Sequence, residues 1–133
     1  MFAKIILALG AMVALYIGFA ALGNPTGVLS DYGLVVSDAN GRNEIRGQYG
    51  GYFMVLGGVM IASLIGKLPQ KFGLSVFLMT VGGVFLGRVS SLLLEGPAIF
   101  TTYSSGIKAL FAIDLLLTIL AILAIRSLKK DQT

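Results

Sequence analysis

The sequence predicts an all-α polytopic membrane protein, an antiparallel bundle of four transmembrane helices. Composition and layout carry that prediction. Of the 133 residues, 56% are hydrophobic and only 12% are charged, and the mean hydropathy is +0.91. A water-soluble domain of this size cannot hide so much apolar surface, so a bilayer must solvate most of it. Four apolar runs of nearly matched length, about 3–23, 44–65, 72–94 and 105–126, are separated by short polar segments. That spacing suits an up-down-up-down arrangement within one domain covering 1–133.

The first run, AKIILALGAMVALYIGFAALG, is uninterrupted over residues 3–23. At ~1.5 Å per residue it reaches about 31 Å, against a hydrocarbon core of roughly 30 Å. A lone Lys4 ahead of an apolar run also fits a signal peptide, but cleaved apolar cores are shorter and no clean A-x-A site follows. Asn24-Pro25-Thr26-Gly27 stops the helix. The segment 24–42 mixes Val28, Leu29, Tyr32, Leu34, Val35 and Val36 with Asp31 and Asp38. Such a mixture suits a loop or short helix lying in the interface and capping the bundle.

The second span is expected from about Glu44 to Ile65. Gly66-Lys67-Leu68-Pro69-Gln70-Lys71 is a turn long enough only to join antiparallel neighbours. The third span, 72–94, ends at Glu95-Gly96-Pro97. A hydroxyl-rich loop with Thr101, Thr102, Tyr103, Ser104 and Ser105 leads to the fourth, which Arg126, Lys129 and Lys130 close.

The net charge is +4, but the basic residues sit at span ends, where charge sets topology or meets anionic lipid, so nucleic acid is not an expected partner. Lys4, Lys67, Lys71, Arg126, Lys129 and Lys130 share one side; Arg42, Arg46, Arg88 and Lys108 share the other. That bias places both termini in the cytoplasm, with the long first loop outside. The chain has no cysteine and no histidine. Disulfide exchange, thiol catalysis, histidine-ligated haem, the usual zinc sites and histidine acid–base chemistry are excluded together, and no cofactor or metal is expected.

Membrane helices associate by close packing of small residues. The sequence offers Gly47-x-x-x-Gly51 and Gly58-x-x-x-Ala62 in the second span and Gly83-x-x-x-Gly87 in the third. Gly10, Ala14 and Gly18 share a spacing of four in the first. Tight packing within the chain is the plain reading of these seams; a homodimer or a membrane partner protein is the sharper one. Small residues on two faces of the second span make that helix the expected centre of the bundle.

The stretch NEIRGQYGGYFMVLGG, residues 43–58, runs ionisable groups straight into an apolar helix. In the third span Arg88, Ser91 and Glu95 recur at i, i+3 and i+7, on one face, and Asp114 lies inside the fourth. An isolated charge near the bilayer centre costs roughly 2.5–3.5 kcal/mol on insertion scales, so these groups must relieve one another. The depths predict Arg88–Asp114 as the deepest pair and Arg46 with Glu95 or Glu44 nearer the surface. Gln48, Tyr49, Ser90 and Ser91 are available for the remaining donors and acceptors. Asn43, Glu44, Arg46, Gln48, Tyr49, Arg88, Ser91, Glu95 and Asp114 are therefore the candidate ligand-binding residues.

NEIRGQYGGY opening a second span, GRVSSLLLEGP ending a third and an acid inside a fourth resemble a bacterial membrane family known as domain of unknown function 4345. The resemblance covers roughly residues 3–125. It rests on Asn43-Glu44-x-Arg46 with Gly50-Gly51, and on Gly87-Arg88 followed by an acidic residue and glycine. The family pattern more often has Asp-Gly and a fourth-span glutamate where this chain has Glu95-Gly96 and Asp114. The resemblance implies four helices and shared polar positions and no activity. DoxX-like and sterol-isomerase-like proteins are similar at the level of fold alone.

Three functions are compatible with this reading. The leading one is binding of a membrane lipid or small amphiphile in an outward-facing polar pocket, its polar end held by Arg46 and Arg88. The second is an accessory subunit with a purely structural polar clasp. The least supported is a small membrane enzyme using Glu44, Glu95 or Asp114 as acid and base, because no nucleophile-plus-base pattern accompanies the carboxylates.

Overall fold

An apolar chain out of water must satisfy its backbone hydrogen bonds internally, and helices do so within each segment. A computed structural model describes residues 1–130, and among these every regular element is helical. Helix α1 is Phe2–Gly23. Helix α2, Ala39–Ile45, continues through a π-helical turn, Arg46–Gly51, into α3, Tyr52–Leu64. Helix α4 is Gln70–Glu95 and α5 is Ser105–Lys130. Three helices are long and apolar enough to cross a membrane: α1, α4 and α5 over Ser105–Leu128. The remaining rod matches them in length only when counted through its π-turn, because α3 alone has 13 residues.

That rod starts at Ala39, earlier than the expected Glu44. Asp38 explains the start: its Oδ1 accepts from the Gly41 backbone nitrogen at 2.8 Å, an N-cap not anticipated within the loop. Upstream, Asn24 Oδ1 accepts from Gly27 N at 3.0 Å and Thr26 Oγ1 at 3.2 Å, turning the chain away from α1. The tight turn after α3 uses Gly66 at φ 81°, and the break after α4 uses Gly96 at φ 87°. Both are left-handed conformations that favour glycine.

The centre of the fold is α1, not the expected second rod. It packs against α3, the π-turn, α4 and α5, and 39% of its apolar window is buried, against 17% for α4 and 11% for α5. Small side chains make this close approach feasible: Ala3, Gly10, Ala11, Ala14, Gly18 and Ala21 are all buried. Gly10 abuts Met60, Gly18 abuts Met54, and Gly50 abuts Leu22.

The expected seams are therefore redistributed. The first-span seam forms, but the second rod packs through Gly50 and Gly57. Gly47 and Gly58 face open space instead: a methyl group added at either would meet no atom within 4 Å, and the same holds for Gly83 and Gly87 of α4. The π-turn carries one residue more than an α-turn. It offsets the residues on either side by about 100° from an α-helical extrapolation.

The core is concentrated towards one end. Leu7, Ala11, Met60, Leu74, Phe77 and Ala124 belong to it, while no residue of α4 beyond Val81, and none of α5 before Ala121, is buried. Between α3 and α4, Tyr52 OH lies 2.6 Å from Thr80 Oγ1, which donates to Val76 O at 3.0 Å. Since the threonine proton is committed to Val76, the tyrosine is the donor. Large apolar side chains cover the outside, among them Met79 at 77% exposed and Leu94 at 86%.

Candidate functional site

Beyond the core, α4, α5 and the connecting segments line a gap in the bundle. The result is an open cleft of about 530 Å³. Helix α4 contributes Val84, Gly87, Arg88 and Ser91, and α5 contributes Ile107 and Phe111. Tyr32 of the first loop, Tyr49 of the π-turn and Tyr103 of the second loop complete the wall. Periodicity places the α4 set: 84, 87, 88 and 91 are one stripe of a 3.6-residue helix.

Arg88 is the only charged side chain among those wall residues. Its Nε donates to Asp114 Oδ2 at 2.6 Å, with the two side chains 23% and 13% exposed. This is the pair that depth matching predicts, and it is the one ion pair among the described residues. Its guanidinium carbon also lies 5.9 Å from the centre of the Phe111 ring, within cation–π range. A guanidinium carries five N–H donors. Only the Nε–H of Arg88 has a protein acceptor among the described residues, so both terminal nitrogens remain available.

One helical turn beyond Arg88, Ser91 Oγ donates to Glu95 Oε1 at 2.8 Å and lies 3.0 Å from Tyr103 OH. A hydroxyl has one proton to give, and that of Ser91 is committed to Glu95. Tyr103 must therefore donate to Ser91, and the chain reads Tyr103 to Ser91 to the Glu95 carboxylate. Aromatic contacts set the tyrosine: Tyr103 stacks on Phe111 with centroids 6.0 Å apart, and Phe100 meets both rings edge-on.

The other sequence candidates separate. Arg46 does not reach Glu95 or Glu44; its Nε donates to the Leu22 carbonyl at 3.2 Å. The last carbonyls of a helix lack intrahelical donors, so the C-terminus of α1 offers a nearer acceptor than any carboxylate. Asn43, Glu44 and Gln48 are exposed and lie outside the cleft wall. Tyr49 does join the wall, stacked on Phe53 at 6.3 Å. Ser90 is turned back onto its own helix, donating to Leu86 O at 2.9 Å. Lys108 donates to Thr101 O at 3.4 Å and sits over Phe100, consistent with a helix-end lysine outside the site.

Sequence reasoning missed Tyr32, Val84, Gly87, Ile107 and Phe111 as wall residues, and it gave Tyr103 no role beyond the interfacial belt or a wall. Tyr32 and Tyr103 sit in loops, where no periodicity assigns a direction. Phe111 had a signal, since it precedes Asp114 by three residues and shares its helix face. Among the described residues no group of three acidic side chains could hold a metal ion.

The family model for DUF4345, a domain of unknown function, matches residues 2–125. The chain belongs to this family. The DUF4345 match takes in every residue of the cleft wall and both members of the Arg88–Asp114 pair. No curated protein and no solved structure matches the chain.

Proposed function

We propose that this DUF4345 protein is a multi-pass protein of the bacterial inner membrane whose cleft binds a small amphiphile or lipid by its polar end. Arg88 holds that end. The observation that carries the reading is its guanidinium: it lines an open cleft, is fixed by Asp114 through one N–H, and keeps both terminal nitrogens without an acceptor among the described residues. A structural clasp would use those donors internally, since an unsatisfied polar group out of water is costly. Arg46, engaged on Leu22, is not part of this site.

In this reading all four rods cross the bilayer antiparallel, with both termini cytoplasmic. Lengths and apolar surfaces support it, as do helix contacts that pair early residues of α1 with late residues of α3, such as Gly10 with Met60. Lys4, Lys67, Lys71 and Arg126 then lie on the cytoplasmic side, and the cleft opens near the outer surface.

Native mass spectrometry of protein extracted from bacterial membranes tests the assignment. The wild type is expected to carry a bound amphiphile that survives delipidation of the annulus. Arg88→Gln should lose it and Arg46→Gln should keep it. A wild type that strips as readily as Arg88→Gln contradicts the proposal. Thermal unfolding of Arg88→Lys, which retains the charge beside Asp114, separates lost binding from lost folding.

A second reading has its own observation. Gly47, Gly58 and Gly83 face no other part of the described chain, which suits an accessory subunit docked on a membrane partner or on a second copy. Cross-linking in native membranes from cysteines placed at these positions should then capture a stoichiometric partner, and Gly58→Leu should abolish the capture. An enzyme using paired carboxylates is less well supported, because no carboxylate is among the described wall residues. Glu95 connects to the wall through Ser91, and Asp114 through Arg88.

A further inference from the structure

The direction of the hydrogen bonds around the cleft narrows the class of ligand, granted that Arg88 binds one as proposed above. The Arg88 side chain offers a ligand only donors. One turn along α4 the polarity reverses. Ser91 has given its proton to Glu95, and Tyr103 has given its own to Ser91. What Tyr103 Oη and Ser91 Oγ can still offer a ligand is lone pairs, and the negative charge of Glu95 stands behind them. The two zones are three residues apart on one helix, about 4.5 Å along its axis.

We infer that the cleft recognises a zwitterionic phosphoammonium head, with the phosphate on the terminal N–H groups of Arg88 and a primary ammonium on Tyr103 and Ser91. An axial separation of about 4.5 Å is on the scale of a phosphate and an amine joined by a two-carbon linker. A quaternary ammonium has no N–H to give to the acceptor zone. A purely anionic head would place surplus negative charge near Glu95. The same chemistry occurs in an ethanolamine phospholipid and in free phosphoethanolamine, and the experiment must tell these apart.

The protein is reconstituted in nanodiscs with equimolar dioleoyl phosphatidylethanolamine, phosphatidylcholine and phosphatidylglycerol, and retained lipid is counted by native mass spectrometry. One charge-assisted hydrogen bond to the acceptor zone predicts about tenfold enrichment of the ethanolamine lipid over the choline lipid. Tyr103→Phe and Ser91→Ala should each reduce that ratio severalfold by lowering retention of the ethanolamine lipid to the level of the choline lipid, and Arg88→Gln should abolish retention of all three. Added phosphoethanolamine that displaces the lipid at matched concentration assigns the free compound as the source; failure to displace assigns the lipid. Both results support the head-group inference. Equal retention of the three lipids, or preference for phosphatidylglycerol, overturns that inference and leaves the amphiphile reading standing. Absence of Arg88-dependent retention in every case overturns both.

Discussion

Gly18→Ala is the substitution for which the structure gives the clearest magnitude. An added methyl group would lie 2.9 Å from Met54 Cγ, 3.0 Å from its Sδ and 3.0 Å from the Met54 backbone nitrogen. Carbon contacts are optimal at about 3.5–4.0 Å. The methionine side chain can rotate away, but the nitrogen moves only if α1 and α3 separate. Overpacking of this kind costs about 1–3 kcal/mol. Alanine in place of glycine inside a helix returns about 1 kcal/mol, so the net loss is about 0–2 kcal/mol.

Gly58→Ala receives the same helical benefit, with no atom within 4 Å to oppose it. The two variants should therefore differ by the overpacking term alone, about 1–3 kcal/mol. Reversible unfolding in mixed mild and denaturing detergent, followed by circular dichroism, measures the difference. If the two variants agree within roughly 0.3 kcal/mol, the usual limit of additivity, the assigned α1–α3 interface is wrong.

Other substitutions probe the remaining contacts. Asp114→Ala leaves Arg88 without its counter-ion in a partly buried position and should destabilise the fold by about 3 kcal/mol, whereas the double change Arg88→Met with Asp114→Met should recover most of that loss in the same unfolding assay. Tyr52→Phe removes the hydroxyl that donates to Thr80 and should cost about 0.6 kcal/mol, the average for hydrogen bonds between membrane helices; no added loss is expected when it is combined with Thr80→Val. Arg46→Ala frees an exposed hydrogen bond to Leu22 and should change stability by less than about 1 kcal/mol, without altering amphiphile retention.

Depth and period made part of this architecture legible in the sequence. The helix boundaries of α1, α4 and α5 follow from apolar runs bounded by proline, glycine and lysine. The Arg88–Asp114 pair follows from the cost of an isolated charge at matched depth on neighbouring helices. In the second rod the small-residue motifs misled: Gly47 and Gly58 face open space, and the packing falls on Gly50 and Gly57, which helical spacing puts on one stripe, while the backbone itself departs from an α-helix at the π-turn Arg46–Gly51. Composition alone does not reveal that turn, although its three glycines lower the steric cost of the wider ring.

Other features depend on tertiary neighbours. Charge matching pairs Arg46 with a carboxylate, yet its partner is a carbonyl at the end of α1, which a search for opposite charges passes over. The cleft owes Tyr32 and Tyr103 to loops, and the Tyr52–Thr80 link to a crossing of α3 and α4 that spacing within one helix cannot specify. Likewise, α1 rather than the polar second rod is central, because its small residues let three neighbours approach.

Whether Arg88 presents its unused donors to a ligand in the cleft can be seen in a high-resolution structure of the protein in native lipid. An elongated ligand is expected there, its polar end within hydrogen-bond distance of the Arg88 terminal nitrogens while Nε stays on Asp114. A closed cleft, with those nitrogens bonded to protein groups and the three tyrosines packed over them, would contradict that expectation.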